Sequence, residues 1–195
     1  MVSKTREKFI EVARQLFARK GIENTTMNDI ASASEKGRRT IYTYFNSKRD
    51  IFNAVIERET ENLLDSLQVI VRKDISPSEK LYEYLECRFE TMKGIVLRNG
   101  SLKAGFFRDV RKVDRARRII TTRETDILVR ILRQGVESGE FSIDNIPLRA
   151  VVITHAIQGL DVPYIRESLI DQGVDKKTMV RYVGDMILYG IKKRD

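Results

Sequence analysis

Apolar residues recur at intervals of three and four along most of the chain, which is the spacing of an amphipathic α-helix. The first such segment predicts a helix over residues 3–20 that ends at Gly21. Longer periodic segments predict further helices at residues 48–72, 76–97, 113–137, 147–160 and 175–191. No segment alternates with the period of two that is typical of a strand. The pattern therefore predicts an all-α protein of about nine helices.

One stretch, residues 25–48, groups polar, basic and aromatic side chains on short elements. Thr26 is a suitable N-cap for a first short helix, and residues 34–37 break its pattern. In the helix that follows, Ile41 and Phe45 are four residues apart and face inward together, so the Arg, Thr and Tyr side chains occupy other faces. This is the layout of a recognition helix in a helix-turn-helix unit.

Positive charge is concentrated in two segments of a chain whose formal net charge is +8 at pH 7. Residues 1–50 contain eleven lysines and arginines against six aspartates and glutamates, and residues 103–118 contain seven against two. Such an excess favours a polyanionic partner. The second segment is open to three interpretations: a solvated surface, a contact to the DNA backbone, or an attraction for an acidic effector.

Other features exclude several classes of protein. The single cysteine, Cys87, cannot form an internal disulfide framework and fits a reducing cytoplasm. The N-terminal residues carry charge without an apolar stretch behind them, and no apolar run has transmembrane length. We therefore expect a cytoplasmic protein with no membrane partner. With one histidine, no Gly-rich phosphate loop and no paired metal-ligand spacing, we expect no enzyme, no cofactor and no metal.

Three groups of residues near the N-terminus keep a recognisable spacing: Phe9, Ile10, Ala13, Leu16, Phe17 and Gly21; Thr25, Thr26, Ile30 and Ala31; and the run TIYTYFNSK at 40–48. With these residues, about the first 55 positions resemble the DNA-binding domain of TetR-family transcriptional regulators. The family usually has Ala-Gly-Val-Ser in the turn, where this chain has Ser34, Glu35, Lys36 and Gly37.

The resemblance implies a three-helix DNA-binding domain at residues 1–50 and a helical domain at 51–195 for effector binding and dimerisation. It also implies a homodimeric repressor that binds a palindromic operator in double-stranded DNA and is released by a small-molecule effector. The DNA-binding residues that it implies are Thr25, Thr26, Lys36, Arg38, Arg39, Thr40, Tyr42, Thr43, Tyr44 and Lys48.

Each of these assignments has a simpler alternative. Arginine can donate two hydrogen bonds to guanine, and Thr and Tyr hydroxyls can bind phosphates or base edges, but the same residues suit a solvated helix face. Lys48 begins the long helix, where charge and helix dipole favour a phosphate, but it is otherwise an exposed lysine. Thr25 and Thr26 are caps first and phosphate ligands second.

The C-terminal helices carry the remaining candidates. The predicted effector-pocket residues are Phe89, Met92, Phe106, Phe107 and His155, of which the first four suit a plain core equally well and His155 a core or pocket edge. The last two long helices are apolar over more than one stripe, which is more than a single core requires. In resembling proteins these helices pair across a two-fold axis. The interface residues that this implies are Val152, Ala156, Met179, Val183, Met186 and Ile187, with Gly184 and Gly190 allowing close approach. The alternative is that the surplus covers helices within one chain.

Three classes of function follow from these features. The first is a ligand-responsive DNA-binding regulator, which the motif, the charge and the helical architecture favour. The second is an enzyme, which lacks the necessary groups. The third is a helical interaction module that binds a protein or membrane surface through its basic face. We interpret the chain as the first.

Overall fold

The structure, a computed structural model, describes residues 4–98 and 110–191, with only the backbone of residues 98 and 110–120. Within these residues the α-helices are α1 Lys4–Lys20, α2 Met27–Ala33, α3 Arg38–Tyr42, α4 Lys48–Val71, α5 Pro77–Arg98, α6 Val110–Glu137, α7 Ile146–Gly159, α8 Asp161–Arg166 and α9 Lys176–Ile191. A single 3-10 turn, Ile170–Gln172, lies between α8 and α9. The all-α prediction is confirmed, since no β-strand occurs in the described ranges. None of the described helices is long and apolar enough to cross a membrane.

The described residues form two compact units. The first takes in the described residues up to Glu61 and the described part of Gly94–Ala116. The second takes in Asn62–Lys93 and the described part of Arg117–Asp195. The division at Glu61 falls inside α4. The domain boundary expected at residue 50 stays a prediction.

The N-terminal helices of the first unit enclose one hydrophobic core. The buried face predicted for α1 is confirmed, since Phe9, Ala13, Leu16 and Phe17 are all buried. The core also contains Ile10 of α1 and residues from α2, α3, the turn after α3 and α4: Ile30, Ala31, Ile41, Phe45, Ile51, Ala54 and Val55. α1 thus supplies the surface against which the short helices α2 and α3 are held.

Capping residues set where the helices of the second unit begin. Before α5, the Glu79 N–H donates to the Ser76 hydroxyl at 3.2 Å, and the Ser76 N–H donates to the Glu79 carboxylate at 2.9 Å. Before α7, the Leu148 N–H donates to the Asn145 side chain at 3.0 Å. Asp175 accepts from the Thr178 N–H at 2.7 Å and so caps α9 as expected.

Candidate nucleic-acid interface

The start of α2 is fixed by a capping box. The Asp29 N–H donates to the Thr26 hydroxyl at 3.0 Å, and the Thr26 N–H donates to the Asp29 carboxylate at 2.9 Å. The hydrogen bond from the Thr26 N–H, with Lys20 close by, lowers the pKa of Asp29. The N-cap role predicted for Thr26 is confirmed.

Thr25 is turned into the unit. It is fully buried, and its hydroxyl donates to the Gly21 carbonyl at 2.7 Å, where it ties the loop after α1 back to that helix. The expected placing of Thr25 among the DNA-contacting side chains is therefore corrected, because this hydroxyl is turned away from solvent. Thr26 remains exposed.

The turn between α2 and α3 is a Schellman motif. The Lys36 N–H donates to the Ala31 carbonyl at 3.0 Å, and the Glu35 N–H donates to the Ser32 carbonyl at 2.9 Å. Glu35 adopts the left-handed conformation that the motif requires, with φ 56°. Glycine usually occupies this position, because the left-handed region costs an L side chain about 1–2 kcal/mol. Gly37 then forms the extended N-cap of α3.

Ser34→Ala is expected to raise the free energy of unfolding by about 1 kcal/mol. The Ser34 side chain is fully buried, and its hydroxyl makes no hydrogen bond to any described residue. Urea denaturation followed by circular dichroism measures the change. Ser32→Ala, at an exposed position in the last turn of α2, controls for the loss of a serine hydroxyl that is not buried. A Ser34 variant less stable than its parent would contradict this account of the turn.

α3 is a short helix with one anchored face. Ile41 is fully buried and Phe45, just beyond the helix, nearly so, whereas Arg38 and Arg39 are exposed. The Arg38 guanidinium lies 6.0 Å from the centre of the Tyr42 ring, so these two side chains are neighbours on one surface. The sequence-based assignment of inward and outward positions on this helix is confirmed.

The outward set continues past the helix end. α3 ends at Tyr42, so Thr43 and Tyr44 lie in the turn that follows. Thr43 is exposed and its hydroxyl donates to the Thr40 carbonyl at 2.7 Å. Tyr44 is partly packed on the core, with its ring 5.9 Å from that of Phe9. The exposed side chains on and beside α3 are therefore Lys36, Arg38, Arg39, Tyr42, Thr43 and Tyr44, and Thr40 is half-buried.

Lys48 has a structural contact that the sequence did not predict. Its ammonium group donates to the Ile22 carbonyl at 2.6 Å and to the Glu23 carbonyl at 3.2 Å. The side chain is half-buried and joins the first turn of α4 to the loop after α1. Lys48 is therefore not the freely exposed lysine of the simpler alternative.

The expected effector pocket stays a prediction, since only three of its five residues have described side chains. Phe89 is fully buried and stacks on Tyr164, with ring centres 4.8 Å apart, and Met92 is half-buried. His155 is exposed on α7, which corrects its expected place in a core, and its place at a pocket edge stays a prediction. Phe106 and Phe107 lie outside the described residues, as does most of the basic segment at 103–118.

A buried ionic cluster lies in the second unit, and sequence reasoning missed it. Arg88 of α5 forms ion pairs with Glu124 of α6 and with Asp161 at the start of α8. Its second guanidinium nitrogen, Nη2, donates to Asp161 Oδ2 at 3.0 Å. Tyr84 and Gln158 donate to the two Glu124 carboxylate oxygens at 3.0 and 3.3 Å. The cluster thus joins α5, α6, α7 and α8 by charge-assisted hydrogen bonds.

The cluster shifts the pKa of Arg88 and of Tyr84. Burial would lower the pKa of Arg88, but the Glu124 and Asp161 carboxylates outweigh it and raise that pKa. Burial, with Glu124 nearby, raises the pKa of the Tyr84 phenol well above its usual value. Among the described residues no group of three or more His, Cys, Asp or Glu side chains is arranged to hold a metal ion. The cluster consists of the Arg88 guanidinium paired with two carboxylates, those of Glu124 and Asp161.

Exposed apolar side chains occur on both α7 and α9. On α7 the exposed fractions are 60% for Leu148, 40% for Val151 and 58% for Val152, and Ala156 is also exposed. On α9 they are 51% for Tyr182, 73% for Met186 and 79% for Tyr189. Of the expected interface residues, Val152, Ala156 and Met186 are therefore exposed, and Val183 and Ile187 are half-buried. Met179 is buried within the chain, which corrects its expected place at an interface.

Gly184 serves packing within the chain. It is buried, and a methyl group added there would overlap the ring of Tyr82 on α5. The Tyr82 hydroxyl donates to Asp185 at 2.5 Å, next to the glycine in the chain, which helps to hold the ring in this place. The expectation that Gly184 allows close approach of a second chain is therefore corrected. Gly190 is exposed, with open space around it among the described residues.

Comparisons with known proteins agree with this architecture. Residues 9–55 match the family of bacterial regulatory proteins described as the tetR family. The HTH-type transcriptional regulator QacR of Staphylococcus aureus is 23% identical over 191 residues, covering 96% of this chain and 98% of QacR. A protein of Escherichia coli K12 named "Probable acrEF/envCD operon repressor" is 46% identical over 50 residues, covering 26% of this chain and 23% of that protein.

A solved structure extends the similarity over both units. A transcriptional regulator from Cytophaga hutchinsonii has a TM-score of 0.79 and 25% identity, covering 98% of this chain and all of that one. The family match falls on the helices that carry the exposed basic and aromatic set. Residues 9–55 thus belong to the tetR family of bacterial regulatory proteins, and the chain as a whole shares the fold of a transcriptional regulator.

Proposed function

We propose that this chain is a homodimeric, cytoplasmic repressor that binds a palindromic operator in double-stranded DNA and releases it when a small-molecule effector binds. The observation that supports DNA binding is the group of exposed side chains on and beside α3. Its members are Lys36, Arg38, Arg39, Tyr42, Thr43 and Tyr44. The buried Ile41 anchors this short helix from behind, so the reading surface is held on a rigid support.

The side chains of this set suit contacts to different parts of DNA. Arg38 and Arg39 can each donate two parallel hydrogen bonds to a guanine edge in the major groove. Tyr42 and Thr43 can donate to phosphates or base edges. Lys36 adds charge next to them. Two such units on a two-fold dimer match two half-sites about one helical turn apart.

Arg39→Ala is expected to weaken binding to the selected operator by about 1–3 kcal/mol and to relax the preference at one base position in each half-site. Arg39 is exposed in the first turn of α3, where side chains reach base edges. Fluorescence anisotropy with operators substituted at each position measures both effects. Arg72→Ala removes an exposed arginine from the second unit as a control. Equal losses on operator and random DNA would reassign Arg39 to phosphate contact.

Lys48→Ala is expected to weaken binding to all DNA alike and to reduce the slope of log affinity against log salt by about 1 per half-site. It is also expected to lower the free energy of unfolding by about 1 kcal/mol, because the Ile22 and Glu23 carbonyls lose their charged donor. Salt titrations on random duplexes and urea denaturation measure these separately. A stability loss with an unchanged slope would limit Lys48 to its structural contact.

The exposed apolar side chains of α7 and α9 support the homodimer. Leu148 and Val152 on α7, with Met186 and Tyr189 on α9, expose more apolar surface than these helices need for their own core. A second copy of this chain offers the same apolar residues in a self-complementary arrangement, as a two-fold interface requires. The dimer also accounts for how a five-residue recognition helix gains selectivity.

The proposal of repression and effector release is supported by the similar proteins and concerns the second unit. The similar Escherichia coli protein is named as an operon repressor, and TetR-family regulators often respond to ligands. An effector lowers operator affinity by the difference between its binding energies for two conformations. Phe89 and Met92 remain the expected lining, and a small molecule retained in native mass spectrometry of the purified dimer would identify the effector.

Selection of duplexes from random oligonucleotides tests this function. A palindromic consensus that the protein prefers over random duplexes at physiological salt supports the regulator. Binding that is uniform across sequences and fully erased by salt would favour the interaction module, whose basic face binds any polyanion.

A further inference from the structure

Glu35 is an anomaly on the proposed DNA-facing surface. It is the only residue of the turn with a left-handed backbone, at φ 56°, and glycine would occupy that conformation without strain. Its carboxylate is exposed and has the same sign of charge as DNA phosphate. Exposed basic residues lie beside it in the chain, at Lys36, Arg38 and Arg39. A glutamate is therefore unfavourable at this position, both because of its left-handed backbone and because of its charge. This indicates that the side chain has a role.

The carboxylate has one strong partner. Glu35 Oε2 lies 2.7 Å from the Lys8 ammonium group, which comes from α1. Lys8 holds the pKa of Glu35 below its usual value, so the carboxylate is charged. The Glu35 side chain is 84% exposed and that of Lys8 is 43% exposed. An ion pair so exposed contributes little to the stability of the fold, and does not offset the cost of the left-handed glutamate.

We propose that Glu35, by pairing with Lys8, limits the sequence-independent affinity of this chain for the DNA backbone. The pair holds the Lys8 ammonium at the turn that leads into α3, within reach of any phosphate that the turn approaches. Because the lysine is already neutralised, it releases no counterion when DNA binds. The inference rests on the proposed function, because it concerns how the same surface contacts the DNA backbone.

In this arrangement the side chains of α3 determine which bases are preferred, and the Lys8–Glu35 pair does not. The pair lowers the affinity for operator and random duplexes by the same factor, and so sets overall strength and salt tolerance. The ratio of operator affinity to random-duplex affinity is therefore unchanged by the pair.

The test is a double-mutant cycle on the full chain, with binding to a selected operator and to a random duplex measured across a salt series. Glu35→Gln and Glu35→Gly are each expected to tighten binding to both duplexes about fivefold and to steepen the salt slope by about 1 per protomer. Lys8→Ala alone is expected to weaken binding to both duplexes, because it leaves the Glu35 carboxylate unpaired beside the phosphates. Lys8→Ala combined with Glu35→Gln is expected to cancel the gain.

The two glutamate variants separate charge from backbone strain. Both remove the carboxylate, but only glycine relieves the left-handed conformation, so only Glu35→Gly is expected to raise the melting temperature. Tighter binding in the glycine variant alone would overturn the proposal in favour of turn geometry. Weaker operator binding by Glu35→Gln would overturn it in favour of a base contact. Unchanged affinity and slope would show that the pair lies away from DNA.

Failure of the proposed function gives a different result. If the parent protein prefers no sequence, the regulator proposal fails. The random-duplex arm still reports on the Lys8–Glu35 pair in that case.

Discussion

Val152→Glu combined with Met186→Glu is expected to convert the protein into a monomer and to weaken operator binding by roughly 100-fold or more. The two side chains are 58% and 73% exposed in the single chain, so each glutamate remains solvated in the monomer. In a two-fold dimer they are brought close to their copies and lose water, which is costly for a charge. Sedimentation velocity measures the association state, and anisotropy measures DNA binding.

Val69→Glu is the matched control for this variant. Val69 is 59% exposed on α4, so it changes the same type of residue at the same exposure outside α7 and α9. The control is expected to remain a dimer, and all three proteins are expected to melt at similar temperatures. A double variant that stays dimeric and binds the operator would exclude these two positions from the interface.

Arg88→Met is expected to lower the free energy of unfolding by about 3–5 kcal/mol. The substitution leaves Glu124 and Asp161, both buried, without the guanidinium that binds them. Urea denaturation measures the loss. Adding Glu124→Gln and Asp161→Asn to Arg88→Met is expected to restore part of the stability, because neutral side chains tolerate burial better than unpaired charges.

Arg130→Met controls for the loss of an arginine side chain. Arg130 is exposed on α6 and donates to Gln68 at 3.0 Å, so its replacement is expected to change stability by only about 0.5 kcal/mol. A similarly small effect at Arg88 would mean that the ion pairs contribute little beyond packing.

Local signals account for what the sequence predicted correctly. Thr26 and Asp175 are caps whose partners lie three residues away, and the inward pair Ile41 and Phe45 follows directly from helical spacing. The family match over residues 9–55 rests on the same short-range pattern. For these features the physical cause lies within one turn of helix.

Contacts between distant residues account for much of what the sequence did not predict. The Arg88 partners lie 36 and 73 positions away in the chain, and the Lys48 partners lie about 25 positions before it. One signal for the ionic cluster was present: Arg88 follows Leu81 and Leu85 on the apolar stripe of α5, where a charge requires a buried partner.

Helices that are apolar on several sides give no signal for which side faces the core. On α7, Ile153 is buried whereas its neighbours Val152 and His155 are exposed, although the sequence offers apolar residues on both sides. For the same reason the sequence did not predict that Met179 and Gly184 on α9 are buried within the chain. Tertiary packing alone decides these orientations.

The most direct measurement of the central claim is the affinity and stoichiometry of the purified protein on three duplexes: the selected palindrome, the same duplex with one half-site scrambled, and a random sequence. The account predicts two protomers on the intact palindrome, with binding to the random duplex weaker by roughly 1,000-fold or more at physiological salt. It predicts intermediate affinity when one half-site is lost. Equal affinity for all three duplexes across the salt series would contradict it.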